Sequence, residues 1–284
     1  MCAKIWSFPI FNHLFLLEMI TPKELSAVAA KYKLKDTQVE KDYVLSWILY
    51  GISKNELLFK SQAFKGGTVL KKIYFEDYRF SEDLDFTLLD EKITNEGLLK
   101  EFEKVYAFAK QEANISLKLK EHGEHESGSL VFYVNYAGPL QANIDSRDIK
   151  IDITRGEVLE FEIETKPLII TYSDLPSDSF SLKCYALPEV LVEKMAALMG
   201  RTEPRDLYDF WYLTEHDGLK PKDYKGEFER KAANKKHNPA QLEEKVLAKE
   251  KNFKRDWARK LENQMDGLPK FDDVFRESKR NLKF

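Results

Sequence analysis

Apolar residues recur first at helical and then at strand spacing along this chain. Thr21-Pro22 predicts a helix over about 22–32, with proline in the first turn, where its missing N–H costs nothing. Asp36 or Thr37 is expected to cap a second helix, in which Val39, Tyr43, Trp47 and Leu49 or Tyr50 share one face. FKGGTVLKKIYF (64–75) begins apolar, passes two glycines and continues as a helix, while RFSEDLDFTLL (79–89) reads as a strand and 96–112 as a helix. The middle then turns to β. ISLKLKE, SLVFYVNYAG, DIKIDIT and EFEIETKPLII alternate or carry β-branched and aromatic residues, with Gly123, Gly128 and Gly138-Pro139 as turns. Beyond Tyr185 the pattern is helical to the end, broken near Gly200–Pro204, Gly218–Pro221, Asn238-Pro239 and Gly267–Pro269. The expected architecture is a mixed α/β (α+β) core over 21–186 and a helical region over 187–284, preceded by an extension over 1–20. Translation is expected to start naturally at Met19, which would make the first 18 residues an extension.

Composition supports a packed protein: 43% of residues are hydrophobic and 33% charged, with a mean hydropathy of −0.49. No apolar run reaches the roughly 18 residues that a membrane span requires. Two distant cysteines, Cys2 and Cys184, suit a reducing cytoplasm and offer neither a disulfide framework nor a zinc site. The net charge of −3 hides an asymmetry. Residues 220–284 hold 19 Lys+Arg against 12 Asp+Glu, a net of +7, which leaves the remainder at −10. An acidic body with a basic tail fits a cation site in the body and nucleic acid along the tail, and it equally fits a solvated helical surface.

Three features carry candidate chemistry. In a strand, residues two apart share a face, so Asp83 and Asp85 point together while Leu84 and Phe86 face the core. In KIDIT, Asp152 lies on the face opposite Ile151 and Ile153 and supplies a third carboxylate. Oxygen ligands of this kind favour Mg²⁺ or Mn²⁺, the ions that phosphoryl transfer uses; the plainer alternative is a turn-flanking pair and a solvated strand face. Lys65-Gly66-Gly67-Thr68, ahead of a helix, lets backbone amides approach an anion, although a plain turn has the same sequence. In ALPEVLVEKMAALMGR, Lys194 falls within the apolar stripe of Val190, Leu191, Met195 and Leu198, with Glu189 and Glu193 opposite. A lysine there must snorkel out or meet an anion, such as a nucleotide triphosphate. In RDLYDF, Asp206 and Asp209 are i,i+3 neighbours on the next helix, where Asp206 can also serve the helix N-terminus.

Other features read as structural. His122-Gly-Glu-His125 is expected to be a solvated hairpin, and His13, His216 and His237 are isolated. Tyr208, Phe210, Trp211 and Tyr212 are expected in the core, as are Trp257 and Leu261. Lys251, Lys254, Arg255, Arg259 and Lys260 can follow an RNA backbone or solvate a helix.

In order, VEKDYVL (39–45), KGGTVL (65–70), RFSEDLDF (79–86), KIDI (150–153), VEKMAALMGR (192–201) and RDLYDF (205–210) resemble the AbiEii nucleotidyltransferase toxin family, which includes the MenT toxins. The resemblance runs from Thr21 to the carboxyl end. It implies a polymerase-β-like nucleotidyltransferase core, NTP as substrate, and Mg²⁺ or Mn²⁺ held by Asp83 and Asp85; Asp152 joins them as the third ligand on the strand pattern alone. Gly66, Gly67 and Thr68 would form the phosphate-side loop, and Arg79, Ser81, Lys194 and Asp206 would bind nucleotide. Ser81 would lie near the transferred phosphate and be open to inhibitory modification. Asp83, Asp85, Asp152, Lys194 and Asp209 would be catalytic. The implied protein is a toxin of an abortive-infection or toxin–antitoxin system. It would transfer NMP to RNA, by the MenT likeness to the tRNA 3′ end, and would be controlled by a cognate antitoxin. A nucleotide- or tRNA-binding effector without transfer is the alternative, and a housekeeping RNA-tailing enzyme a third reading. The gap from Gly67 to Asp83 is longer than in many members of the superfamily.

Overall fold

The computed structural model describes residues 19–176 and 180–283; the expected start at Met19 turns on residues 1–18, and those, with Cys2 and His13, lie outside the described part. Helix α1 (Pro22–Tyr32) opens with a capping box, in which Thr21 and Glu24 each satisfy the other's backbone N–H. Helix α2 (Asp36–Lys54) departs from the expected cap. Its N-cap is Lys35, and the Asp36 carboxylate instead accepts from Ser26 Oγ at 2.6 Å, tying α2 to α1. Val39, Tyr43, Trp47 and Leu49 are fully buried, as are Glu40 and Asp42 beside them. Asp42 is tolerated because Lys72 Nζ (2.7 Å) and the Tyr172 hydroxyl (2.8 Å) donate to it. Glu40 accepts from Leu140 N and pairs with Arg147.

After α3 (Glu56–Ser61) come β1 (Gln62–Lys65) and the short helix α4 (Gly66–Val69), which continues as a π-turn over Leu70–Tyr74. Strand β2 (Asp83–Leu88) is shorter than 79–89. Residues 79–82 find partners in the carboxyl-terminal part of the chain: Phe80 N donates to Gln264 O at 2.7 Å, and Arg79 reaches Asp209 and Gln264. Helix α5 (Asn95–Ala113) and strands β3 (Ser116–Glu124), β4 (Leu130–Ala137) and β5 (Asp148–Thr154) follow. Gly123 lies inside β3 and makes no turn; the hairpin closes at Gly128, whose φ is +80°. The strand expected across 160–170 shrinks to β6 (Glu164–Pro167), because Glu160 N and Phe161 N are taken by the Glu189 carboxylate at 2.7 and 2.9 Å. Strand β7 (Ser181–Cys184) carried no sequence signal.

The seven strands of the described residues form one mixed sheet in the order β3-β4-β5-β2-β1-β7-β6. Strands β2 and β5 are parallel, with Asp85 opposite Asp152, and β1 runs antiparallel to β2, with Lys65 opposite Asp85. Leu84, Phe86, Ile151 and Ile153 fill the core behind that face. The remainder is helical: α6 (Leu187–Gly200), α7 (Pro204–Trp211), α8 (Lys225–Asn234), α9 (Leu242–Leu247), α10 (Glu250–Leu261) and α11 (Phe271–Asn281). Helix α6 is buried on both flanks: Glu189, opposite the apolar stripe, is covered by α8 and pairs with Lys231 at 2.8 Å. No helix among the described residues is long and apolar enough to cross a membrane.

Candidate active site

Asp83, Asp85 and Asp152 share one face of the sheet centre, as the two-residue alternation requires. Burial raises the Asp83 carboxyl above its ordinary range, partly opposed by Arg205, whose Nη1 lies 3.9 Å away. Burial also pushes Asp85 up to about 6; Lys65 opposes the shift, while Asp83 and Asp152 add to it. Asp85 has no hydrogen-bond donor among the described residues. Asp152 accepts from Lys150 Nζ at 3.2 Å. Two neighbouring carboxylates with raised pKa values, Asp83 and Asp85, are the electrostatic condition that a divalent cation relieves, and their oxygen donors suit Mg²⁺ or Mn²⁺. Among the described residues no three His, Cys, Asp or Glu side chains stand close enough together to enclose an ion.

The glycine loop abuts this cluster. Gly66 has φ +77°, and a Cβ there would collide with the Asp85 carboxylate. A Cβ on Gly67 would collide with the Arg79 guanidinium and lie 2.9 Å from Asp209 Oδ2. Thr68 turns its hydroxyl inward, donating to the Asp83 carbonyl at 2.6 Å, so it fixes the start of β2. Replacing Gly66 by alanine should therefore combine backbone strain of about 1 kcal/mol or more with displacement of Asp85. We expect Gly66→Ala to melt at a lower temperature and to lose nucleotide binding, as read by thermal denaturation with and without NTP.

Beneath the loop lies a buried ion network. Asp209 Oδ1 accepts from the Tyr78 hydroxyl (2.6 Å) and Arg79 Nε (2.8 Å); its Oδ2 accepts from Arg79 Nη2 (2.9 Å) and pairs with Lys194 Nζ (2.7 Å). Lys194 also meets Asp206 at 2.8 Å, and Asp206 takes Arg201 Nε at 2.6 Å. Burial disfavours the charge on each buried member, but the opposite charges more than reverse this. Asp206 and Asp209 sit below the ordinary carboxylate range, and Lys194 sits above the ordinary lysine range. Lys194 thus does not snorkel; its stripe position aims it at two aspartates. Arg79 Nη1 donates to Ser81 Oγ (3.3 Å) and Gln264 Oε1 (3.0 Å), which fixes the residues leading into β2.

Two adjoining clefts share Gly67, Asp85, Lys194 and Arg201. The smaller, about 180 Å³, reaches Ser81, Asp83 and Arg205; the larger, about 450 Å³, reaches Asp152, Glu157 and His237. Every residue expected at the site lines a cleft except Asp209, which is fully buried under Arg79 and Lys194. Arg201, Arg205, Gln264 and His237 also stand at the site, beyond the expected set. The two arginines stood inside motifs already noted, whereas Gln264 and His237 carried no local signal. His122 and His125 lie exposed at the β3–β4 hairpin. Tyr208, Phe210 and Trp211 are in the core, as are Trp257 and Leu261. On α10, Lys254 pairs with Asp272, both Arg255 and Arg259 with Asp256, and Lys260 with Glu203.

A family model described as "Nucleotidyl transferase AbiEii toxin, Type IV TA system" matches residues 47–277. No curated protein matches the chain in sequence. Among solved structures, the chain is similar to MenT4, a nucleotidyltransferase toxin from Mycobacterium tuberculosis H37Rv. That TM-score is 0.61 at 15% identity, over 93% of this chain and 89% of the other. It is also similar to JHP933 from Helicobacter pylori, with a TM-score of 0.53 at 15% identity, over 88% of this chain and 92% of the other. At that identity the likenesses establish the mixed α/β nucleotidyltransferase fold.

Proposed function

Because the chain belongs to the AbiEii nucleotidyl transferase toxin family, whose members use an NTP and answer to an antitoxin, we propose that it transfers a nucleoside monophosphate to the 3′ end of tRNA. The 3′ oxygen attacks the α-phosphorus, the bond to the β-phosphate oxygen breaks, and pyrophosphate leaves. A tRNA so blocked cannot be aminoacylated, which stops translation. The observation that carries this reading is the under-compensated Asp83–Asp85 pair beside a glycine loop and a set of held cations.

Asp83 and Asp85 would hold Mg²⁺ or Mn²⁺, and Asp152, which does not close a three-carboxylate cage with them, would aid the metal site or accept the attacking hydroxyl's proton. The ion, when bound, neutralises triphosphate charge and acidifies that hydroxyl. The remaining roles fall to the chain itself. Gly66 and Gly67 bring backbone against phosphate. Ser81 lies at the transferred phosphate, where its modification would inhibit. Arg79 and Lys194 present charge that Asp209 and Asp206 keep in place, so Asp209 is a positioning residue.

Purified protein incubated with each α-labelled NTP, Mg²⁺ and total tRNA should yield labelled tRNA with one or two of the NTPs. Label on the protein alone would move the acceptor to protein. Intact NTP binding with no label anywhere would favour a binding effector without transfer. Growth arrest on expression that depends on Asp83 and Lys194 separates a toxin from a housekeeping tailing enzyme.

A further inference from the structure

His237 is delivered into the larger cleft by built features. Helix α8 ends in a Schellman-type turn, with His237 N donating to Ala232 O and Lys236 at φ +58° where glycine is usual. The imidazole then packs on the end of α6, where residue 200 is glycine; a Cβ there would stand 3.0 Å from His237 Nε2. Lys249 fixes this end of α6, donating to the carbonyls of Leu198 (2.9 Å), Met199 (3.0 Å) and Arg201 (3.2 Å). Lys235 stands beside His237 on the cleft wall, and its one ion pair among the described residues is a long 3.8 Å contact with Glu157. Burial, with the ammonium groups of Lys245, Lys249 and Lys235 added to it, holds His237 below the ordinary imidazole range. The result at neutral pH is a flat, uncharged ring among cations, with no side-chain hydrogen bond among the described residues.

The two clefts differ in what each alone contains. The smaller alone has Arg79, Ser81 and Arg205 around Asp83, a lining for phosphates; the larger alone has Asp152, one of whose two roles above is to accept the acceptor's proton, with Gly66 where it meets the shared Gly67. We infer that the larger cleft receives the acceptor, and that His237 and Lys235 contact the terminal nucleoside of the RNA and its adjoining phosphate. This rests on the RNA-transfer reading above. RNA ends are commonly bound by stacking an unpaired base on an aromatic side chain with a cation at the backbone, and the pair supplies both. The basic face of α10 is the weaker candidate, because four of its five cations are already paired with carboxylates.

The test is steady-state transfer from an α-labelled NTP to total tRNA by the full chain, with NTP and tRNA varied separately. His237→Ala should raise the KM for tRNA roughly tenfold and leave the KM for NTP within about twofold. His237→Phe, which keeps a stacking ring, should recover most of that loss. Lys235→Ala should raise the KM for tRNA and flatten its salt dependence by about 0.7 in log–log slope. Gly200→Ala, which displaces the ring without removing it, should mimic His237→Ala; Lys251→Ala on α10 should behave as wild type. Unchanged KM for tRNA in folded His237→Ala and Gly200→Ala proteins would overturn the inference while leaving the transfer reading intact. A rise in the KM for NTP would overturn it by giving the larger cleft to the nucleotide. If the wild type labels no RNA at all, the transfer reading fails and the inference with it.

Discussion

Asp83→Ala should lower transfer by roughly a thousandfold or more, about 4 kcal/mol of transition-state stabilisation, and leave the chain folded. The two parts have separate causes. The Asp83 side chain contributes little to folding: its nearest cation is Arg205 at 3.9 Å, and the hydrogen bond from Thr68 goes to its backbone carbonyl, which alanine keeps. Among the described residues its carboxylate makes no other ion pair, so its charge is left for a cation. A folded Asp83→Ala protein that transfers at the wild-type rate would remove Asp83 from the chemistry.

Asp85 gives the same argument a thermodynamic readout. Its carboxyl is pushed up to about 6 from an ordinary 3.8, burial being the chief cause. Above pH 6 it is ionised in both folded and unfolded chains, and the folded state bears the full penalty, at most about 3 kcal/mol. Below about pH 4 it is protonated in both, and the penalty vanishes. In metal-free buffer Asp85→Asn should therefore melt higher than wild type at pH 7–8, with the gap closing as the pH falls from 6 to 4. Added Mg²⁺ should raise the melting temperature of wild type and leave Asp83→Ala and Asp85→Asn unmoved. A wild type that ignores Mg²⁺, Mn²⁺ and NTP together in this assay would contradict the carboxylate assignment.

Much of this site was legible because its signals are local. Strand alternation at 83–86 and 150–153 needs only neighbouring residues, and it placed three aspartates on one face. Helical spacing showed that Lys194 sits on the buried stripe. What the stripe could not show was the partner: Lys194 meets Asp206 and Asp209 across two helices, and the choice between snorkelling and pairing is made by packing. The same limit explains Arg79, whose amide-bearing partner Gln264 lies 185 residues away. His237 reads as an isolated histidine until the α8 turn brings it against Gly200. Strand β7 has four residues, too few for a period to declare itself. Asp36 is not the cap because α2 begins on it, with Lys35 at the cap position, and its carboxylate takes Ser26 Oγ instead.

Asp209→Ala should cost about 3–5 kcal/mol of stability, the usual effect of removing one partner from a buried ion pair, and should abolish transfer as well. Alanine leaves the Arg79 guanidinium and the Lys194 ammonium facing each other in the interior, and strips the Tyr78 hydroxyl of its acceptor. Melting should fall by roughly 10 °C at neutral pH. The Asp209 carboxyl sits below its ordinary range, so its stabilisation is present above about pH 4 and declines on acidification; wild type and variant should converge in acid. Lys194→Met separates the two roles. It removes one cation while Arg79 still satisfies Asp209 and Arg201 still satisfies Asp206, so the protein should fold with a smaller loss and yet fail to transfer. Combining Asp209→Asn with Lys194→Met should recover part of the stability that Asp209→Asn alone loses, because one of the two cations that lose the Asp209 charge is gone, and should recover no activity. Strict additivity of the two changes in melting free energy would mean that the Lys194–Asp209 contact carries no coupling, and Asp209 would then act on the site through Arg79 alone.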